Sequence, residues 1–285
     1  MKGAIIGDIV GSVYEWHNHK SKDFPLFQPR CSFTDDTVMT VAVAMGMLQA
    51  FETGAELLDA LTDSLHDYGN RYPHRGYGGR FRHWLRSSDP QPYNSWGNGA
   101  PMRCSAAGWL AKTPEKAFEL GMYTAAPTHN HPEGMKAAGV TAMLIWHARH
   151  GMTKEALREL AVKAYELPVL DEIRDSYSFD VSSMGTMPVA LSAFFESRDF
   201  EDAIRNAISI GGDSDTIAAI TGSIAEAFYG VPEEIWTEAS SYLTDELREN
   251  VEQFYRFAGQ LGQNDACPLS GKMRKNKMKR MGGCI

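Results

Sequence analysis

The stretch Thr34-Asp35-Asp36-Thr37-Val38-Met39-Thr40-Val41-Ala42-Val43-Ala44-Met45-Gly46-Met47-Leu48-Gln49-Ala50-Phe51 decides the fold class. Val38–Phe51 is mainly apolar and rich in small residues. Thr34, Asp35 and Asp36 stand in front of it as capping residues, so the stretch reads as a helix start followed by a buried helix. Met39, Met45 and Met47 fall at helical spacing and belong to the core. The same grammar recurs along the chain. Ala55–Tyr68 carries Leu57, Leu58, Leu61 and Leu65 on one face. Pro114–Tyr123 follows Thr113, an N-cap with Pro at the first helical position. Pro132–His150, Lys154–Tyr165, Phe200–Ile208, Thr216–Tyr229, Pro232–Tyr242 and Asp245–Phe257 complete the predicted helices. Alternating β-branched runs are nearly absent, and Val181–Val189 is interrupted by Gly185 and Pro188. The expectation is an all-α protein, a compact orthogonal helical bundle around a cleft. Gly69–Met102, rich in Gly, Arg, Tyr, Trp and Pro, shows no helical pattern, and a segment of that kind inside a compact domain is usually functional.

The 285 residues include 43% hydrophobic and 22% charged residues, ordinary values for a globular chain. No apolar run is long enough to span a bilayer, and the N-terminus lacks the apolar stretch of a signal peptide. Cys31, Cys104, Cys267 and Cys284 are scattered without metal or disulfide spacing, which points to a cytoplasmic protein with reduced, inert thiols. The net charge is -8, but residues 271–285 hold six basic residues and no acid, leaving 22 basic against 36 acidic residues on the rest. So acidic a body repels a phosphate backbone, and nucleic acid is an expected partner only through the tail. Residues 1–265 therefore read as one all-helical domain, and 266–285 as a basic, solubilising, disordered tail that catalysis does not need.

Two segments carry the chemistry. Phe33-Thr34-Asp35-Asp36-Thr37-Val38 and Gly211-Gly212-Asp213-Ser214-Asp215-Thr216-Ile217 each place two carboxylates and threonine hydroxyls at the front of an apolar helix. A single Asp-Asp-Thr is an ordinary N-cap. Two such segments, one led by a Gly-Gly pair that permits tight backbone geometry, are more than capping requires. Oxygen donors of this kind suit Mg²⁺, Mn²⁺ or Ca²⁺, and four clustered Asp residues repel unless cations lie between them, which suits two divalent ions.

Three further stretches are candidates. In Gly7-Asp8-Ile9-Val10-Gly11-Ser12-Val13-Tyr14-Glu15 the two acids are seven residues apart, on one face if the stretch is helical; two exposed acids are the plain alternative. Ser95-Trp96-Gly97-Asn98-Gly99 precedes a helix start. Its consecutive N–H groups could cradle phosphate, with Trp96 stacking on a base, although Gly-Asn-Gly is also an ordinary tight turn. Thr128-His129-Asn130-His131 opens another helix, and without cysteine alongside it His129 reads as a hydrogen-bonding residue rather than a metal ligand.

Taken together, these phrases resemble the ADP-ribosylglycohydrolase family, which includes the dinitrogenase-reductase-activating glycohydrolases and the J1-crystallin-like proteins. The resemblance runs from Gly3 to about Phe228. It rests on Gly7-Asp8-x-x-Gly11-x-x-x-Glu15, Phe33-Thr34-Asp35-Asp36-Thr37, Gly97-Asn98-Gly99-x-x-Met102-Arg103, Thr128-His129 and Gly211-Gly212-Asp213-Ser214-Asp215-Thr216. It implies a two-metal Mg²⁺ or Mn²⁺ centre held by Thr34, Asp35, Asp36, Asp213, Asp215 and Thr216. It further implies a catalytic glutamate at Glu15, a diphosphate loop at Ser95, Trp96, Gly97, Asn98 and Gly99, and His129 lining the same cleft. Trp96 and Ala100-Pro101 depart from the family pattern. The implied activity is hydrolysis of the bond between ADP-ribose and an acceptor, either a protein side chain or a small molecule. Asp35 and Glu15 are both candidates for the catalytic acid or base. The alternatives are a catalytically silent ADP-ribose- or nucleotide-binding or crystallin-like protein, and a Mg²⁺-dependent phosphohydrolase of another all-α family.

Overall fold

The computed structural model describes residues 1–261, which form fourteen α-helices in chain order. They are α1 (Lys2–Gly11), α2 (Asp35–Thr53), α3 (Leu57–Arg71), α4 (Gly79–Leu85), α5 (Ser105–Leu110), α6 (Pro114–Ala125), α7 (Pro132–Arg149), α8 (Lys154–Ala161), α9 (Leu170–Ile173), α10 (Ser183–Phe195), α11 (Phe200–Ser209), α12 (Ser214–Tyr229), α13 (Glu233–Ser240) and α14 (Asp245–Leu261). Among the described residues no strands pair into a sheet; one isolated bridge joins Gly97 to Ser182. The all-α expectation is met. The expected tail beginning at residue 266 lies outside the described residues, as do Cys267 and Cys284, whereas Cys31 and Cys104 are free and buried. No described helix is long and apolar enough to cross a membrane.

α1 explains the architecture. Its sequence, KGAIIGDIVG, is apolar around its whole circumference, and a helix without a polar face belongs inside. Gly3 through Gly11 are all buried. Gly3, Gly7 and Gly11 recur every four residues and so share one face. That face lies directly on the backbone of the antiparallel α12. A Cβ on Gly3 would sit 2.0 Å from the Gly222 carbonyl oxygen, one on Gly7 2.1 Å from that of Ala218, and one on Gly11 2.4 Å from the Asp215 Cα. The contact brings the C-terminal end of α1 to the start of α12, where Asp213 and Asp215 lie. α2 begins beside the same point with Thr34 as N-cap, its side chain accepting from the Asp36 amide, and ends at Gly54 in the left-handed region (φ 73°).

The reading of two stretches is corrected and that of a third completed. Asp8 and Glu15 do not share a helix face, because α1 stops at Gly11 and the chain turns there, the Tyr14 amide donating to the Gly11 carbonyl at 2.8 Å. Nor is Asp8 an exposed acid: its accessibility is 0%. The Gly69–Met102 stretch contains α4, which buries Phe81, Trp84 and Leu85 at helical spacing behind two small glycines. Val181–Val189 is mostly helix: Ser182 caps α10 by accepting from the Gly185 amide, and Pro188 sits inside it.

The α1–α12 seam gives a direct test. Gly7→Ala pushes a methyl into the Ala218 backbone, and a loss of about 2 kcal/mol or more in denaturant unfolding is expected, in the upper part of the usual range for overpacking or beyond it. Gly259→Ala in α14, where nothing lies within 4 Å of the added Cβ, gains up to about 1 kcal/mol from helix propensity.

Candidate active site

The two acidic helix starts meet at the floor of a cavity of about 420 Å³. One carboxylate oxygen each from Asp8, Asp36 and Asp215 lies within 4.8 Å of the other two, and Glu15, Asp213 and Asp215 form a second group of the same size. Asp215 is common to both. The threonines tie the segments together. The Thr34 hydroxyl donates to Asp8 Oδ1 at 2.6 Å, and the Thr216 hydroxyl donates to Asp36 Oδ2 at 3.1 Å. Asp35, expected among the metal ligands, belongs to neither group but lines the same cavity, half-buried.

Capping explains little of this arrangement. Thr34 caps α2, but the Asp213 carboxylate makes no cap bond to α12. It is held instead from the side, accepting from Asn98 Nδ2 at 2.6 Å. Asp36 Oδ1 is buried with no hydrogen-bond partner, a costly state unless something positive reaches it. Among the described residues no ion pair reaches Asp8, Glu15, Asp35, Asp36, Asp213 or Asp215. A set of hard oxygen donors, one of them orphaned, fits a hard divalent cation.

Asp8 was visible in the sequence, but its job was not. It accepts from the Thr34 amide at 2.9 Å, from the Thr37 amide at 3.0 Å and from both threonine hydroxyls. It thus closes the N-terminus of α2 from a different helix, satisfying amides that would otherwise be orphaned. Asn18, which no sequence pattern marks, is a second organiser. Its Oδ1 accepts from the Gly212 amide at 2.7 Å, while its Nδ2 donates to the carbonyls of Gly212 and Glu15 at 3.3 and 3.0 Å. Lys20 adds bonds to the carbonyls of Ile210 and Tyr177 at 2.5 and 2.7 Å. The loop bearing Glu15 is therefore laced to the turn bearing Asp213 and Asp215. That turn needs its glycines, since Gly211 and Gly212 have φ of 70° and 71°.

The other wall is cationic and rich in glycine. Arg103 is 1% exposed, and its guanidinium donates to the Thr124 carbonyl and to the Thr128 hydroxyl at 2.8 Å. Thr128 in turn pairs with His129 Nδ1 at 2.7 Å. Burial, with Arg103 and Arg80 nearby, holds the His129 pKa well below its usual value, so the ring is neutral. Ser95, Gly97, Asn98, Gly99 and His129 line the cavity, whereas the Trp96 ring is 44% exposed and does not. The expected cradle of free N–H groups is not present at Gly97 and Asn98: Gly97 donates to Ser95 Oγ and Asn98 to the Val181 carbonyl. The small glycines instead let the His129 ring approach, its Nε2 lying 3.1 Å from where a Gly99 Cβ would be. His131 caps α7 through Nδ1 and is not part of the site.

A family model described as ADP-ribosylglycohydrolase matches residues 1–265. The chain is 28% identical to the ADP-ribosyl-[dinitrogen reductase] glycohydrolase of Rhodospirillum rubrum over 79% of this chain and 80% of that protein. It is 24% identical to the ADP-ribosylhydrolase ARH3 of Xenopus tropicalis over 80% and 85% of the two chains. A solved structure titled ADP-ribosylglycohydrolase-related protein complex superposes with a TM-score of 0.67 at 26% identity, covering 90% of this chain and 95% of that one.

The buried acids make stability depend on pH. Burial, and then the Asp213 charge, push Glu15 up to about 7; burial and mutual repulsion hold Asp35, Asp36 and Asp215 well above the carboxylate range. A raised folded-state pKa means that the folded state holds protons the unfolded chain has released. The stability is full below the unfolded pKa of about 4 and is lost as pH rises through the folded value. In chelator, the melting temperature should therefore be lower at about pH 8 than at about pH 5.5. Mn²⁺ should restore it at the higher pH by occupying the cluster. A melting temperature indifferent to both pH and Mn²⁺ would contradict the cluster as drawn.

Proposed function

The chain belongs to the ADP-ribosylglycohydrolase family, and we propose that it is a Mg²⁺- or Mn²⁺-dependent hydrolase that releases ADP-ribose from an ADP-ribosylated protein side chain or small molecule. The observation that carries this reading is the pair of buried carboxylate groups sharing Asp215 beside a cationic, glycine-walled cleft. Asp8, Asp36 and Asp215 would hold one ion and Glu15, Asp213 and Asp215 the other, with Thr34 and Thr216 supplying hydroxyl oxygens. When bound, the ions supply Lewis-acid charge that offsets the clustered acids and orients sugar hydroxyls.

The remaining work falls to the chain itself. Cleaving a ribosyl bond builds positive charge on the sugar, which the acid-rich floor stabilises. Arg80, Arg103 and the neutral His129 favour the diphosphate at the opposite wall, away from the carboxylates. Glu15 belongs to the second ion group at the half-buried mouth, whereas Asp35 lines the same cavity outside both groups and is the carboxylate left to exchange a proton with the attacking water and the departing acceptor. Asn98 and Asn18 keep Asp213 and the Glu15 loop in place.

Intact acidic groups weigh against the silent-binder alternative, and acids paired with threonines rather than His-Asp pairs weigh against a phosphohydrolase. Product identity decides among the three. Incubation of ADP-ribosylated peptides with the protein and Mg²⁺ should yield free ADP-ribose and be blocked by chelator; phosphate release or no release would overturn the reading. Asp215→Asn should lower turnover at least about a hundredfold, some 2.7 kcal/mol of barrier. In chelator it should melt no lower than wild type, because it removes one repelling charge and keeps the shape. Full activity in that variant would exclude Asp215 from the site.

A further inference from the structure

Trp16 is 73% exposed and Phe179 43% exposed, the most solvent-open large apolar rings at the cavity. They come from different loops, one following α1 and the other preceding α10, and stack with centroids 5.4 Å apart and planes 22° from parallel. Both rings line the cavity. Trp16 follows Glu15 directly in the chain, which sets the ring pair beside that carboxylate. Nothing in the fold requires so much aromatic surface in water at this point.

The two ends of the cleft differ in charge. Arg80, Arg103 and His129 mark one end, where Arg80 also lies over the Tyr93 ring at 4.8 Å. Glu15, grouped with Asp213 and Asp215, is the chain neighbour of Trp16, so the aromatic pair lies on the acidic side. A diphosphate is drawn to the first end and repelled from the second. The group at the second end is therefore the acceptor, and aromatic faces beside carboxylates select a planar cation.

Resting on the glycohydrolase reading, we propose that Trp16 and Phe179 form an acceptor clamp that stacks on the guanidinium of an ADP-ribosylated arginine. A guanidinium gains on three counts here: ring face, flat shape, and the negative charge that the six carboxylates keep in excess of two divalent ions. A serine hydroxyl is small and neutral and gains on none of them. The clamp sets which acceptor is preferred and leaves ADP-ribose recognition to the other wall.

The test compares matched peptides bearing ADP-ribose on arginine or on serine, with wild type, Trp16→Ala, Phe179→Ala and Trp16→Phe in Mg²⁺. Inhibition by free ADP-ribose is measured in parallel. Wild type should favour the arginine peptide. In each alanine variant the ratio of kcat/KM values, arginine over serine, should fall about tenfold, chiefly through KM, the size expected for a lost cation–π stack. Trp16→Phe should recover most of the ratio, and the ADP-ribose inhibition constant should stay within about twofold of wild type. An unchanged ratio, with both peptides falling together or neither falling, overturns the clamp. So does weakened inhibition by ADP-ribose, which would place the adenine on these rings. Activity on serine alone overturns the clamp and leaves the glycohydrolase reading standing; no release from either peptide overturns that reading, and the clamp falls with it.

Discussion

The site exists because two helices touch backbone to backbone. Wherever α1 carried a side chain on its α12 face, the helices would stand further apart, and Asp8 and Asp215 would no longer converge. Packing of this closeness leaves no room for adjustment, since protein interiors tolerate little added volume. The acids at its end inherit that rigidity. Asp8 then extends the constraint to α2 by closing its first turn from outside, so three helix ends are fixed relative to one another by one seam and one carboxylate.

Rigidity and repulsion act against each other here. Six carboxylates, four of them buried, crowd together with no cationic side chain paired to them among the described residues: five line the cavity and Asp8 stands against Asp36 and Asp215 behind it. A relaxed fold would let them separate. This fold holds them with threonine hydroxyls, Asn98 and Asn18, and leaves Asp36 Oδ1 without a partner. Strain of this kind is characteristic of a site whose occupant completes it. The opposite wall has the complementary character, with a buried guanidinium, a neutral histidine and glycines that allow close approach.

Much of this was legible in the sequence, for identifiable reasons. Helices whose apolar residues recur on one face, such as α3 and α14, announce themselves, and so do capped starts such as Thr113-Pro114. The two acidic segments stood out because carboxylates, threonines and Gly-Gly at a helix front exceed what capping uses. α1 and α10 are absent from the predicted helices because both are apolar almost throughout, so no polar face reveals their period, and Pro188 argues against α10 locally. The role of Asp8 depends on which amides lie 26 and 29 residues away. That of Asn18 depends on a turn 194 residues away. The Gly97-Asn98-Gly99 phrase suggested its backbone amides as the working groups, whereas the Asn98 side chain and the space beside the glycines are what the fold uses. Long-range partners of this sort leave no local pattern to read.

The central claim is that the convergent acids form one centre for two divalent cations with Asp215 between them. Titration of the metal-free protein with Mn²⁺ by calorimetry, followed by crystallography with Mn²⁺ and its anomalous signal, tests it most directly. The account predicts two ions per chain, one beside Asp8 and Asp36 and one beside Glu15 and Asp213, both within bonding distance of Asp215. No ion in the cleft, or a single ion bound at His129 or His131 instead, would contradict it.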